Sequence, residues 1–405
     1  MSNGLRHAHI VGWGKYTPER VMTNDDVSKL VDTTDKWIRE RTGIAQRHVA
    51  NSKETCAYMA TAAALEALDV ANISPAQVGL IIVATSTPDF PFPATACLVQ
   101  DALGADNSGA FDLSAACSGF IYGLSLAADA IKTGSCDYAL VIGSELMTSL
   151  VDWSDRNTCV LFGDGAGAVV LQGSDQPGGI LSTLLRSDGS GGETLYVRNN
   201  RNEKPEKLVL KTEPTLGEAK MADCSGYLQM NGREVFRFAT RILDKATREI
   251  MHKAGWQADQ VDMLVPHQAN SRIIIAAAKS LNIPLDRFYS NIERYGNTSA
   301  ASIPIAICEA VADGRLRSND KVVLVGFGAG LTWAAAAVQW GTPHAMNLTN
   351  RRLNRLRLGA ANVRSRARRV LRRLEDRLFG TIEPTLTPPV VSPAEPPKNI
   401  AAPDS

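Results

Sequence analysis

The chain has 405 residues, 44% hydrophobic and 21% charged, with 43 Lys/Arg against 42 Asp/Glu. That balance excludes a low-complexity or disordered polymer and supports two domains, or one fused double domain, around a large core. The seven cysteines (Cys56, Cys97, Cys117, Cys136, Cys159, Cys224, Cys308) form no CxxC pair, so neither a disulfide framework nor a structural zinc site is expected. No apolar run has the length of a membrane span and MSNGLRHAHIVGWG lacks a charged-then-apolar leader, so the expected location is the cytoplasm. The net charge of +1 hides a division: residues 341–405 hold 12 basic and 5 acidic residues, leaving 31 against 37 in residues 1–340.

In chain order, the spacing predicts a strand at His9–Trp13, then a capped helix within Asp32–Ile44 ending at Gly43. Thr55–Leu68 is alanine-rich, with small or apolar residues on every face, and is expected to lie buried between layers. Val78–Thr85 is a continuous apolar run suited to a covered parallel sheet, and a helix is expected over Phe92–Leu103. Phe111–Ala116 reads as a strand. From Phe120 the apolar period changes to that of a helix, through Leu124, Ala127, Ala128 and Ile131. Cys117 therefore falls where a strand gives way to a helix, where free N–H groups and the helix dipole favour a thiolate and lower its pKa. Alone, it reads more readily as a buried core thiol, and partners have to decide.

Tyr138–Gly143 is another covered strand, followed by a polar loop through Trp153 and Arg156 and by LFGDGAGAVVLQG. The order then recurs. Val261–Val265 with PHQAN matches Val78–Thr85; Tyr289–Asn297 with a helix over Thr298–Asp313 matches the Cys117 unit. Lys321–Val325 matches Tyr138–Gly143, and GAGLTWAAAAVQ matches GAGAVVLQ. Two α/β halves are expected, 1–178 and 179–340, with Asn297 as the counterpart of Cys117 and a surface excursion over 187–226. Cys117, His267 and Asn297 all emerge at strand ends or helix starts, where open α/β sheets place their sites.

At DTTDKWIRERTGI, DLSAACSGF, FGDGAGAVVL, VPHQAN, YGNTSAASIP and GFGAGLTW, in that order, residues 5–340 resemble the thiolase superfamily, and within it β-ketoacyl-acyl carrier protein synthase III. The resemblance implies a duplicated five-layer α/β/α/β/α fold. It implies an acyltransferase that condenses an acyl-CoA primer with malonyl-acyl carrier protein to start fatty acid synthesis, without metal or redox cofactor. Cys117 is then the acylated nucleophile; His267 and Asn297 promote decarboxylation and Claisen attack; the backbone N–H groups of Cys117 and Ala329 form the oxyanion site. Ala329 stands where many relatives have glycine, and is compatible with that role unless its φ is positive. Thr33, Trp37, Arg41, Arg156 and Asn270 map to CoA contacts, Phe92 and Phe327 to the acyl pocket, and Arg237 and Arg272 to the rim facing the carrier protein. Phe92 maps to a residue that crosses the interface of a homodimer, where its bulk points to a short primer.

The same triad fits a related condensing enzyme or acyltransferase of secondary metabolism. It also fits a Cys-His-Asn thioester hydrolase with His267 as base. Thiolases proper need a second catalytic cysteine, which Asn297 does not provide.

Beyond Trp340 lies a separate chemical object. Residues 350–379 hold 11 arginines and only Glu375 and Asp376 as acids, with Val363, Ala367, Val370, Leu371, Leu374 and Leu378 on one helical stripe. A basic amphipathic helix is expected, then a disordered Pro-rich end. The stripe packs on the enzyme body, or the helix recruits an acidic surface, either anionic lipid or a carrier protein. Nucleic acid is not an expected partner, because the body carries no supporting motif.

Overall fold

The computed structural model describes residues 6–198 and 226–341, together with Ala367, Val370 and Leu371. The first half runs β1 (His7–Tyr16), β2 (Val21–Thr23), α1 (Asn24–Val27), α2 (Asp35–Thr42), β3 (Gln46–His48), α3 (Cys56–Ala71), β4 (Leu80–Ala84), α4 (Thr95–Leu103), β5 (Gly109–Leu113), α5 (Gly119–Lys132), β6 (Tyr138–Leu146) and β7 (Asp164–Ser174). The second runs β8 (Gly179–Ser187), β9 (Leu195–Val197), β10 (Leu228–Met230), α6 (Gly232–Lys253), β11 (Met263–Pro266), α7 (Ser271–Leu281), α8 (Ile292–Tyr295), α9 (Ser302–Ala312), β12 (Lys321–Gly328) and β13 (Thr332–Gln339).

Two large sheets result, ordered β1-β7-β6-β4-β5 and β11-β12-β13-β8, with β2-β3 and β9-β10 as separate two-stranded pairs. In the first, β4 runs parallel to β5 and β6 and antiparallel pairing adds β7 and β1; the second repeats this with β11 parallel to β12 and antiparallel β13 and β8. α5 and α9 form the layer between the sheets, where Phe120, Ile121 and Leu124 share a core with Ile303, Ala306 and Ile307. α9 is buried without a break from Ser302 to Ala310, as a helix covered on all sides must be. α3 and α4 cover the outer face of the first sheet, and α6 and α7 that of the second. The protein is thus a five-layer α/β/α/β/α fold.

Three of the expected elements change. α3 is an outer helix, not a middle one. Its alanines let it lie directly on β1, where a Cβ at Gly12 would stand 2.2 Å from the Ala67 oxygen, while Tyr58 faces out, 51% exposed. α4 begins at Thr95 rather than Phe92, because the Asp112 carboxylate accepts the Thr95 and Ala96 N–H groups at 2.7 Å and fixes the helix start there. The strand expected near Tyr289 is reduced to a single parallel bridge between Leu264 and Phe288, so the second sheet has four strands.

The two middle helices begin alike. α5 is preceded by a 3₁₀ turn at Ala116–Ser118 and α9 by one at Ser299–Ala301, and the first residue of each turn is left-handed, Ala116 at φ 47° and Ser299 at φ 49°. The counterpart of Cys117 is therefore Ala300, not Asn297. Each turn rests on a glycine: a Cβ at Gly143 on β6 would lie 2.2 Å from the Ala300 oxygen, and one at Gly328 on β12 would lie 2.7 Å from the Cys117 nitrogen. Since the obstructing atoms are backbone, Gly143→Ala should destabilise by about 1–3 kcal/mol, read by calorimetry. Gly189→Ala, which meets no atom within 4 Å, should stay within about 0.5 kcal/mol.

Candidate active site

Both turns open into one cavity of about 1390 Å³. It is lined by Cys117, Asn297, Ser299, His267, Phe327 and Ala329, and further out by Trp37, Arg41, Asn270, Arg237 and Arg272. Thr33, Arg156 and Phe92, also expected at the site, do not line it.

Cys117 sits in the 3₁₀ turn, two residues before α5, and is 8% exposed. Burial pushes its thiol up to about 12, the nearby Glu145 carboxylate adds to the shift, and a Ser299 hydrogen bond opposes it. The expected lowering by the helix dipole does not prevail, because desolvation in a closed interior exceeds a partial charge.

His267 follows β11, its N–H held by the Val325 carbonyl at 2.8 Å and its ring edge-on to Phe327, centroids 5.2 Å apart. Its Nδ1 is buried without a hydrogen-bond partner among the described residues. With no counter-charge, burial drives its pKa down to about 3, so the ring is neutral. The neighbouring Gln268 fixes the loop instead, donating to the Pro266 and Tyr289 carbonyls at 2.7 and 3.2 Å.

Asn297 is held from three sides. Its N–H donates to the Leu161 carbonyl at 2.8 Å, its carbonyl accepts from Gly163 at 3.1 Å, and its Oδ1 accepts the Ser299 N–H at 2.8 Å. The last bond commits the amide oxygen to protein and leaves the NH₂ group to face the cavity as a donor. At the Gly328–Gly330 turn the positive φ falls on Gly330 (129°), so Ala329 is free of left-handed strain.

Towards the mouth, Arg156 and Arg41 both lie over the Trp37 ring, at 4.6 and 5.8 Å from its centroid. Asn270 is fully engaged: Oδ1 accepts the Arg272 N–H and caps α7, while Nδ2 donates to the Arg41 carbonyl. The Thr33 hydroxyl is buried without a partner among the described residues. Phe92 is 84% exposed on the surface.

Three features escaped the sequence reading. Residues 195–197 and 228–230, within and beside the expected surface excursion, pair as β9 and β10, and Leu195, Tyr196, Leu228 and Met230 wall the cavity; residues 199–225 lie outside the described residues. Arg233 and Arg241 line the cavity beside Arg237 at four-residue intervals on α6, a helical period visible in the sequence. Glu145, buried and accepting the Ser299 hydroxyl at 2.9 Å, carried no signal.

Fold and site together define a thiolase-like condensing enzyme. Residues 111–189 match the family described as 3-Oxoacyl-[acyl-carrier-protein (ACP)] synthase III, and residues 251–340 match its C-terminal region. A β-ketoacyl-[acyl-carrier-protein] synthase III of Symbiobacterium thermophilum is 49% identical over 337 residues, 83% of this chain and 99% of the relative. The crystal structure of the synthase III of Aquifex aeolicus is similar at 47% identity and TM-score 0.75, covering 82% of this chain and 100% of that one. The Thermus thermophilus structure is similar at 44% and 0.76, covering 82% and 99%. The chain belongs to the β-ketoacyl-acyl carrier protein synthase III family.

The buried neutral imidazole has a consequence in acid. With a folded value near 3 against an ordinary 6.5, the unfolded chain takes the proton first. Stability is therefore intact above 6.5 and is lost as pH falls from there towards 3. Relative to the native chain, His267→Gln should lose roughly 1–2 kcal/mol less between about pH 6.5 and 5, measured by denaturant titration; parallel curves would contradict this assignment.

Proposed function

We propose that this chain performs the decarboxylative Claisen condensation of an acyl-CoA primer with malonyl-acyl carrier protein, giving a β-ketoacyl-acyl carrier protein and starting fatty acid synthesis. The observation that carries the reading is the convergence of Cys117, the neutral His267 ring and the Asn297 amide donor on one deep cavity in a chain of this family. Cys117 exchanges the acyl group onto its sulfur, with the N–H groups of Cys117 and Ala329 stabilising the carbonyl oxygen. Loss of CO₂ from the malonyl thioester then builds charge on its oxygen. The His267 ring N–H and Asn297 NH₂ meet that charge, each contributing roughly 3–4 kcal/mol if well placed. This chemistry asks for no metal or redox cofactor. A hydrolase would need His267 as base, and a ring at about 3 is a poor one.

For CoA, the adenine enters beside Trp37 as the Arg156 guanidinium, now 4.6 Å over the ring and bonded to the Asp32 carbonyl at 2.8 Å, lifts away. For the carrier protein, Arg233, Arg237, Arg241 and Arg272 form a basic rim that favours the approach of an acidic partner. A homodimer is supported by the edge position of β5, with Phe111 39% exposed on it and Phe92 84% exposed close by. Phe92, absent from its own cavity, is free to enter the partner's. Among the described residues no helix is long and apolar enough to cross a membrane.

Incubation with acyl-CoA species of increasing length, followed by intact-protein mass spectrometry, should show one acyl increment that disappears in Cys117→Ser. An increment that persists there would overturn the assignment. His267→Ala and Asn297→Ala should reduce CO₂ release more than acylation; equal loss of both would favour the hydrolase.

The tail contributes a contact with an acidic surface. Ala367, Val370 and Leu371 are helical, and Val370 and Leu371 are 53% and 56% exposed, so these stripe residues do not pack on the body. The rest of the stripe lies outside the described residues. Deleting 341–405 should leave turnover intact and abolish salt-sensitive binding to anionic vesicles or to carrier protein. Unchanged binding with lower thermal stability would make the tail a clamp instead.

A further inference from the structure

α9 is apolar or small along its buried run except at Glu309, a carboxylate only 6% exposed that the condensation above does not use. Two donors reach each of its oxygens. Oε1 accepts from Lys15 Nζ at 2.6 Å and from the Tyr295 hydroxyl at 2.5 Å; Oε2 accepts from Arg294 at 2.7 Å and from Asn291 Nδ2 at 2.9 Å. The lone-pair sites of the carboxylate are thereby filled. Burial alone would push this carboxyl up, but the bonds from Lys15, Tyr295 and Asn291 outweigh it and hold it below the ordinary carboxylate value.

Three of the donors belong to one short segment, α8 and its N-cap Asn291. A single turn of four residues is too short to keep its shape unaided. At its end the chain turns through Gly296, at φ 62°, and Asn297 follows two residues after Tyr295. At its start the Ser290 hydroxyl and the Asn291 N–H both donate to Gln268 Oε1 at 3.1 Å, and Gln268 Nε2 donates back to the Tyr289 carbonyl. His267 immediately precedes Gln268. Its Nδ1 makes no hydrogen bond among the described residues, so the ring takes its direction from the backbone of this loop and from Phe327.

Given His267 and Asn297 as the donors of the proposed decarboxylation, and resting on that reading, we infer that Glu309 is a positioning residue for both. Its carboxylate clamps residues 291–295 against β1 and α9. That segment carries Asn297 at one end and grips the His267 loop through Gln268 at the other. One buried group therefore sets the relative placement of two donors that come from distant parts of the sequence.

Stability alone is a poor reason for such a cluster, because desolvation of buried ions offsets much of their attraction. What filled acceptor sites confer is direction: residues 291–295 cannot slide or rotate without breaking a charge-assisted bond. Direction matters here, since a displacement of about 1 Å at a reacting centre costs up to about 10²-fold in rate.

The test compares CO₂ release from malonyl-acyl carrier protein with the rate of Cys117 acylation by acyl-CoA, each expressed per acylatable Cys117 so that misfolded protein drops out. Glu309→Gln keeps the shape, but its NH₂ group faces two of the donors whichever way the amide turns. It should lower CO₂ release about ten- to hundredfold. The KM for malonyl-acyl carrier protein and the acylation rate should stay within about twofold of native. Tyr295→Phe removes one hydroxyl and keeps the ring stacked on His48, with centroids 5.2 Å apart; it should lose at least about threefold in CO₂ release alone. Native CO₂ release in Glu309→Gln would overturn the inference. So would equal losses of CO₂ release and acylation, which would make Glu309 a support of the fold only. Where Glu309→Gln does not fold, Tyr295→Phe decides by the same two criteria. Absence of CO₂ release from the native enzyme would overturn the condensation reading and the inference with it, whereas unimpaired variants of an active native enzyme overturn the inference alone.

Discussion

The constraint on which the rest depends is the close docking of two helix starts in the middle layer. Each of α5 and α9 enters through a left-handed residue, and neither entry fits unless the strand beneath offers a glycine at the contact, Gly143 for one and Gly328 for the other. The duplicated sheets supply these glycines from β6 and β12. Because the helices lie between the sheets, their N-terminal turns meet at the floor of a cavity that surface loops could not enclose. That places the Cys117 thiol, the His267 ring and the Asn297 amide in an apolar enclosure on rigid elements.

Enclosure then sets the protonation states. The same desolvation that keeps His267 neutral, and so a donor without charge, raises the Cys117 thiol far above neutral pH. A helix dipole is worth at most about 2 kcal/mol in partly buried settings, less than that elevation. The same enclosure therefore holds a neutral imidazole beside a thiol that stays protonated at neutral pH.

Sequence periodicity made the layers legible because covered strands and amphipathic helices follow from burial alone: β4, β6, β11 and β12 all fall within or beside their expected runs. That Cys117, His267 and Asn297 share a cavity was legible because such residues are unusual at the ends of apolar strands. What stayed hidden depends on three-dimensional neighbours. Nothing in the spacing of Thr85, Glu145 and Ser299 shows that they meet, since they come from three separate strand ends and turns. Burial of Cys117 is likewise a property of the second half folding over the first. The misalignment of Asn297 with Cys117 arose because both lie near a helix start, and only the backbone shows that Asn297 precedes its turn while Cys117 lies inside its own.

The correct register shows how one duplicated frame came to hold two chemistries. Cys117 and Ala300 are equivalent, and the residues beneath them follow: Gly143 opposes the Ala300 carbonyl as Gly326 opposes that of Cys117, at 3.4 Å from an added Cβ. Two residues further along each strand, Glu145 corresponds to Gly328. In the second turn the Glu145 carboxylate accepts the Ser299 hydroxyl at 2.9 Å; in the first, the N–H of Cys117 meets a residue with no side chain. One position thus decides the character of each half. A carboxylate there takes up the Ser299 hydroxyl, whereas glycine leaves no side chain over the N–H of Cys117. The asymmetry of the site comes from what the strands carry beneath the turns, while the turns themselves remain the same.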